Sequence, residues 1–202
     1  MTALMWAMIA MLSAQPGVLP EEFARMRTTT FPDGQPFSGS QVSENRATVF
    51  VSLLPGCPIC QKQAFTLNEL ASKYQGRGIV FYGVWYPGVD SAEMRKYIVE
   101  NRLRFAVLAD EGCALTSALG IEIAPEVVAI DSRKKILYRG KIDNWFEAVG
   151  KRKPKPTQFY LDEALNAVAQ DKAPVVASTT PVGCIVECAR RIKSGLPLHG
   201  KP

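Results

Sequence analysis

Cys57-Pro58-Ile59-Cys60 is the stretch of this chain best suited to covalent chemistry. Two thiols separated by two residues interconvert between dithiol and disulfide when the first is ionised and the second can reach it. The pair stands where an apolar run ends and a helical pattern begins, so Cys57 is expected at a helix N-cap. There its sulfur would face unpaired backbone N–H groups and the positive end of the helix dipole, both of which favour a thiolate. Cys57 is then the nucleophile. Cys60, one turn on, would resolve a mixed disulfide formed at Cys57, and Pro58 at the first helical position loses no hydrogen bond and presets the backbone. A Cys-x-x-Cys can also be half of a zinc site or an inert structural disulfide. The other cysteines are Cys113, Cys184 and Cys188, with His199 as the lone histidine, and they offer no second pair at zinc-ligand spacing. The strand-to-helix setting favours redox chemistry, with no metal and no cofactor beyond a Cys57–Cys60 disulfide.

The three remaining cysteines are candidate accessory redox groups. Cys113 opens a short helical pattern, where its thiol could be tuned as Cys57 is, although a small buried cysteine is more often a packing residue. Cys184 and Cys188 lie four apart in a flexible-looking stretch. They are expected to form a local disulfide in preference to a relay with Cys57 and Cys60; a bridge to Cys113 is also open. Five cysteines leave at least one thiol free or paired with another molecule. Cys184, Cys188 and His199 also invite comparison with a copper site, but all three lie in the tail, and copper remains a lesser alternative.

The elements that must hold the pair read as alternating strands and helices. Residues 47–54 form a continuous β-prone run, as expected of a central strand buried on both faces, ended by Pro55-Gly56. A helical pattern follows over 58–74, a strand over 79–86, and a helix after Ser91 as a plausible N-cap. Residues 105–109 read as a short strand and 113–119 as a small helix. Residues 127–130 and 135–139 read as two strands joined by a polar turn, and Thr157 is a plausible cap for a helix running to Val168. Trp85, Trp145, Tyr86 and Phe81 are expected in the core, although Tyr86, at a strand end near the active edge, is also a candidate peptide-facing aromatic. The pattern implies an α/β domain with a central mixed sheet, mostly parallel in its core with an antiparallel edge, flanked by helices.

At 202 residues the chain can bury one full core. The division expected is a signal peptide over 1–14, an irregular lead-in with short edge strands over 15–43, a domain over 44–170 and a cysteine-containing tail over 171–202. Residues 1–14 carry no charge and include an apolar run from Ala3 to Leu12 with a small-residue exit, although a positive residue near Met1 is missing. An uncleaved N-terminal helix is the alternative. Export would put the cysteines in an oxidising compartment, the periplasm or another extracytoplasmic space. No apolar run reaches 18 residues, so no stable membrane insertion is expected after signal cleavage. The net charge of +5 is concentrated in Lys151, Arg152, Lys153 and Lys155, broken by Pro154 and Pro156, and reads as a solvated loop without the aromatics of a nucleic-acid surface.

Over about residues 28–170 the chain resembles the thioredoxin superfamily, and within it the redoxin branch of TlpA-like proteins and peroxiredoxins. Three features carry the likeness: the strand, Cys57-Pro58-Ile59-Cys60 and helix unit; Ala124-Pro125-Glu126-Val127-Val128-Ala129-Ile130-Asp131; and the extra strand–helix unit over 79–103. The segments Tyr138-Arg139-Gly140-Lys141-Ile142-Asp143, Leu161-Asp162-Glu163-Ala164-Leu165 and Gly183-Cys184 are also similar to exported bacterial redoxin-domain proteins that often have Ser where Cys60 stands. The resemblance implies a thioredoxin-like fold, a cis peptide bond at Pro125, and Pro125 lying against the cysteine pair. Ala124 and Pro58 would then contact substrate. It further implies thiol–disulfide exchange with protein thiols or disulfides and with a redox-partner protein. Gly56 and Val51 stand where thioredoxins carry an aromatic and an acidic residue, so the proton acceptor for Cys60 is unidentified; Glu126 could serve, or could be a surface carboxylate. Leu54 replaces the Thr of peroxiredoxins, which puts peroxide reduction, an antioxidant activity, second.

Overall fold

The computed structural model describes residues 17–86 and 88–194. The signal segment expected at the N-terminus and His199 lie outside the described residues. In chain order the elements are α1 (Glu22–Arg25), β1 (Arg27–Phe31), β2 (Pro36–Ser38), a 3-10 helix (Gly39–Glu44), β3 (Ala47–Ser52), α2 (Pro58–Gln75), β4 (Ile79–Trp85), α3 (Ser91–Glu100) and β5 (Ala106–Ala109). They continue with α4 (Ala114–Leu119), β6 (Ile123–Ala124), β7 (Val127–Asp131), β8 (Ile136–Gly140), β9 (Phe146–Ala148), β10 (Lys151–Arg152), α5 (Tyr160–Val168), β11 (Cys184–Ile185) and α6 (Glu187–Ser194). No helix among the described residues is long and apolar enough to cross a membrane.

Seven strands form one mixed sheet in the order β2-β1-β5-β4-β3-β7-β8. The centre is parallel, β3 with β4 and β4 with β5, and both flanks are antiparallel. This is the thioredoxin-like architecture. The period-2 alternation of each strand assigns its residues to two cores. Val49 and Val51 of β3 and Val127 and Ala129 of β7 face the layer built by α2, α3 and α5, whereas Phe50, Val128 and Ile130 face α1 and α4. All six residues of β3 are buried, which explains why it reads as a continuous apolar run.

The helices start where local chemistry allows. Asp90, and not Ser91, caps α3: its carboxylate accepts from the N–H of Ala92 at 2.7 Å and of Glu93 at 3.2 Å. Thr157 likewise does not cap α5, because its hydroxyl accepts from the Asn144 amide at 3.0 Å, and the helix begins at Tyr160. The basic stretch is a short hairpin, not a loop. Lys151 pairs with Ala148 across β9 and β10 and its ammonium reaches Glu147 at 2.9 Å, an exposed pair of small energetic weight.

The segment after α5 wraps onto the domain in three places. Residues 177–179 lie along β8, with Arg139 N–H donating to Ala177 O and Thr179 N–H to Arg139 O, both at 3.0 Å. Gly140 permits this approach, since a Cβ there would stand 2.1 Å from Thr179 O. β11 pairs antiparallel with β6, and α6 buries Cys188 and Ala189 in the main core.

Candidate active site

Cys57 is the N-cap of α2, at φ −86° and ψ 118°, and Pro58 at the first helical position is exposed. The turn is closed by Cys57 N–H to Leu54 O at 2.9 Å and by the Gln61 side-chain amide to Pro55 O at 2.8 Å. In its thiol form Cys57 donates to Ala124 O at 3.3 Å. Ionisation gives up that weak contact and gains stronger ones. The thiols of Cys60 and Cys184 then donate to the Cys57 sulfur, and the N–H groups of Ile59 and Cys60 act on it without closing a full capping bond. The Cys60 thiol has the largest effect and, with the others, outweighs desolvation, so the Cys57 pKa falls to about 5. Cys60 moves the opposite way, well above an ordinary thiol, because it is fully buried and faces the Cys57 charge. Both are free thiols here.

The opposing wall is the turn between β6 and β7. The Ala124–Pro125 peptide bond is cis. A residue the sequence reading passed over holds that turn: Ser52, buried at the end of β3, donates from its hydroxyl to Ile123 O at 2.6 Å and accepts from Glu126 N–H at 2.8 Å. The available signal was one of two hydroxyls, with Thr48, in an otherwise apolar strand, each of which must find partners when buried. Glu126 is neither at the surface nor turned toward the cysteines. It is buried, its carboxylate raised by that burial and held by Arg139 at 3.3 Å and Glu122 N–H at 3.3 Å.

Tyr86 is 2% exposed and so is not a peptide-facing aromatic. It lies in the main core, its hydroxyl has no hydrogen-bond partner, and burial and the nearby cysteine charges push its ionisation up. Tyr97 borders the same pocket of sulfurs and donates to Cys60 O at 3.0 Å.

The tail cysteines depart from the expected pairing. Cys188 is joined to Cys113, at the N-cap of α4, with Cα atoms 5.5 Å apart, so Cys113 is a bridging residue and not a packing one. The local Cys184–Cys188 disulfide does not form, because the two residues sit on different elements, β11 and α6. Cys184 is instead a free, half-buried thiol whose sulfur lies 2.8 Å from that of Cys57. Its strand register sets it opposite Ala124, and desolvation and the Cys57 charge raise its pKa to about 12.

The fold recurs in solved structures. A hypothetical protein from Sinorhizobium meliloti 1021 aligns with a TM-score of 0.71 at 17% identity, over 87% of this chain and 95% of that one. An uncharacterized conserved protein from Geobacillus kaustophilus gives 0.70 at 22%, over 85% and 90%. A secreted Mycobacterium tuberculosis disulfide oxidoreductase homologous to E. coli DsbE gives 0.53 at 19%, over 75% and 99%. No curated protein matches the chain. Residues 21–146, which carry the cysteine pair, the cis proline and every strand of the main sheet, match the Redoxin family, and the chain belongs to it.

Proposed function

We propose that this chain is an extracytoplasmic thiol–disulfide oxidoreductase that exchanges electrons with protein cysteines through Cys57 and Cys60. The observation that supports this most is the opposed ionisation of the two thiols: Cys57 is lowered to about 5 at the mouth of α2, while Cys60 behind it is raised. An ionised first sulfur attacks a disulfide at neutral pH, and a protonated second one waits to resolve the mixed product. Pro125 and Ala124 form the wall against which the exchange takes place, and Pro58 is the exposed residue beside the pair. Stabilising the Cys57 thiolate also stabilises the reduced protein, which moves the couple toward the oxidising end of the scale. Export is supported by the uncharged apolar run ending near Ala14 and by the secreted nature of the mycobacterial structural neighbour.

The test is equilibration of the full chain in glutathione buffers followed by peptide mass mapping. A reversible Cys57–Cys60 disulfide is expected, abolished by Cys57→Ser and by Cys60→Ser, together with acceleration of insulin reduction by dithiothreitol. Cysteines that stay unreactive across the buffer range refute the reading. Peroxide consumption with a thiol donor that survives Cys60→Ser assigns the chain to the peroxidase class instead.

A further inference from the structure

We infer that Cys184 is a third redox cysteine, the port through which the buried Cys57/Cys60 pair exchanges electrons with an outside dithiol or disulfide by way of an internal Cys57–Cys184 bond. This rests on the oxidoreductase reading and adds the point of contact to it.

Four observations carry the inference. Cys57 and Cys60 both have 0% exposure and are shielded from an outside sulfur in this arrangement, whereas Cys184 is partly exposed. Beside Cys184 and Ile185 opens a depression of about 490 Å³, floored by Leu54, Tyr86 and Val89. The Cys57 and Cys184 sulfurs are 2.8 Å apart, less than about 1 Å beyond an S–S bond length. Finally, the closeness is built in. β11 is paired to the cis-proline strand, Gly183 lies where a Cβ would stand 2.1 Å from Ala124 O, and Cys188, four residues after Cys184, is fastened to Cys113. The tail thus lies as an extended strand along β6, the way a bound peptide extends a sheet edge, with its cysteine where a peptide's cysteine would react.

The exchange balances without an added oxidant. Starting from the Cys57–Cys60 disulfide, the Cys184 thiol loses its proton and attacks the Cys57 sulfur. The Cys57–Cys184 bond forms, the Cys57–Cys60 bond breaks, and Cys60 leaves as a thiolate that takes up the proton. An outside dithiol then attacks through one thiolate. Two features direct it to the Cys184 sulfur: Cys184 is the accessible one, and attack there expels Cys57, whose low pKa makes it the better leaving group. The second thiol of the partner displaces Cys184, so the partner leaves as a disulfide and the chain is left with three thiols. Oxidation of the chain by a partner disulfide is the same path reversed.

Two measurements test this. Cys60→Ser, oxidised with diamide and mapped by mass spectrometry, is expected to yield the Cys57–Cys184 disulfide as its main product, and Gly183→Ala in that background to lower the yield. Oxidised Cys184→Ser and Cys184→Ala, checked for folding by circular dichroism, are expected to be reduced by glutathione about tenfold or more slowly than the unmodified chain, as an occluded sulfur requires. Reduction at the unmodified rate overturns the inference, as does a diamide-treated Cys60→Ser protein that carries no Cys57–Cys184 bond. Both results leave the oxidoreductase reading standing if the Cys57–Cys60 disulfide still forms reversibly. If that disulfide fails to form even with Cys184 replaced, the underlying reading has failed, and this inference with it.

Discussion

The depressed pKa of Cys57 can be measured through its alkylation rate as a function of pH. At pH 6 a thiol of pKa about 5 is roughly 90% thiolate, whereas an ordinary cysteine near 8.5 is about 0.3% ionised, a ratio of about 300. Lower basicity also means lower nucleophilicity. With a Brønsted slope of about 0.45, a difference of about 3.5 units lowers the intrinsic rate roughly 40-fold. The first effect wins at pH 6, by about eightfold, and the second wins at pH 8, where an ordinary cysteine is itself about a quarter ionised. Burial slows the reagent at every pH alike, so the position of the inflection and not the absolute rate is the quantity to read. We expect iodoacetamide to modify Cys57, mapped by mass spectrometry, with half-maximal rate near pH 5, and Cys184→Ala to move that point upward by removing a thiol donor to the thiolate. The same ionisation contributes to stability. A folded-state pKa below the unfolded value stabilises the reduced protein above about pH 8.5, and this contribution is lost as pH falls through about 5, on the order of a few kcal/mol at most. The Cys57–Cys60 disulfide form lacks this dependence. An inflection near 8.5, or identical pH profiles of stability for the two forms, refutes the electrostatic account of the site.

Two further outcomes follow from the surroundings of the pair. Replacing both Cys113 and Cys188 by Ala opens a loop that spans 75 positions, and the chain-entropy argument puts the loss at up to about 4.5 kcal/mol, to be read from denaturant midpoints. Tyr86→Phe removes a buried hydroxyl that has no partner, so it is expected to leave stability unchanged or raise it by about 1 kcal/mol; a loss of more than that shows that the hydroxyl is bonded in solution.

Much of this site was legible from local pattern. The buried run at β3, the turn at Pro55-Gly56 and the helix opening at Pro58 are short-range signals, and they put Cys57 at an N-cap without further information. Helix starts were less legible where two capping residues adjoin. Asp90 and Ser91 are both good caps, and which one serves depends on which stays extended, as Asp90 does at ψ 138°. The tail was misread for a different reason. Spacing suggests that Cys184 and Cys188 are neighbours, but their partners lie 127 and 75 positions away, and only the return of the chain to β6 and α4 brings them together.

The pairing of residues 177–179 with β8 has a consequence for how copies of this chain meet. β8 is the outermost strand on its side of the sheet, and bare outer strands invite strand-to-strand stacking between molecules. Arg139 spends its backbone groups on Ala177 and Thr179 instead, while the opposite border is the three-residue β2, which begins with a proline. The stretch of chain that carries Cys184 therefore doubles as a guard against aggregation, and shortening it would expose the sheet border and the redox pocket in one cut.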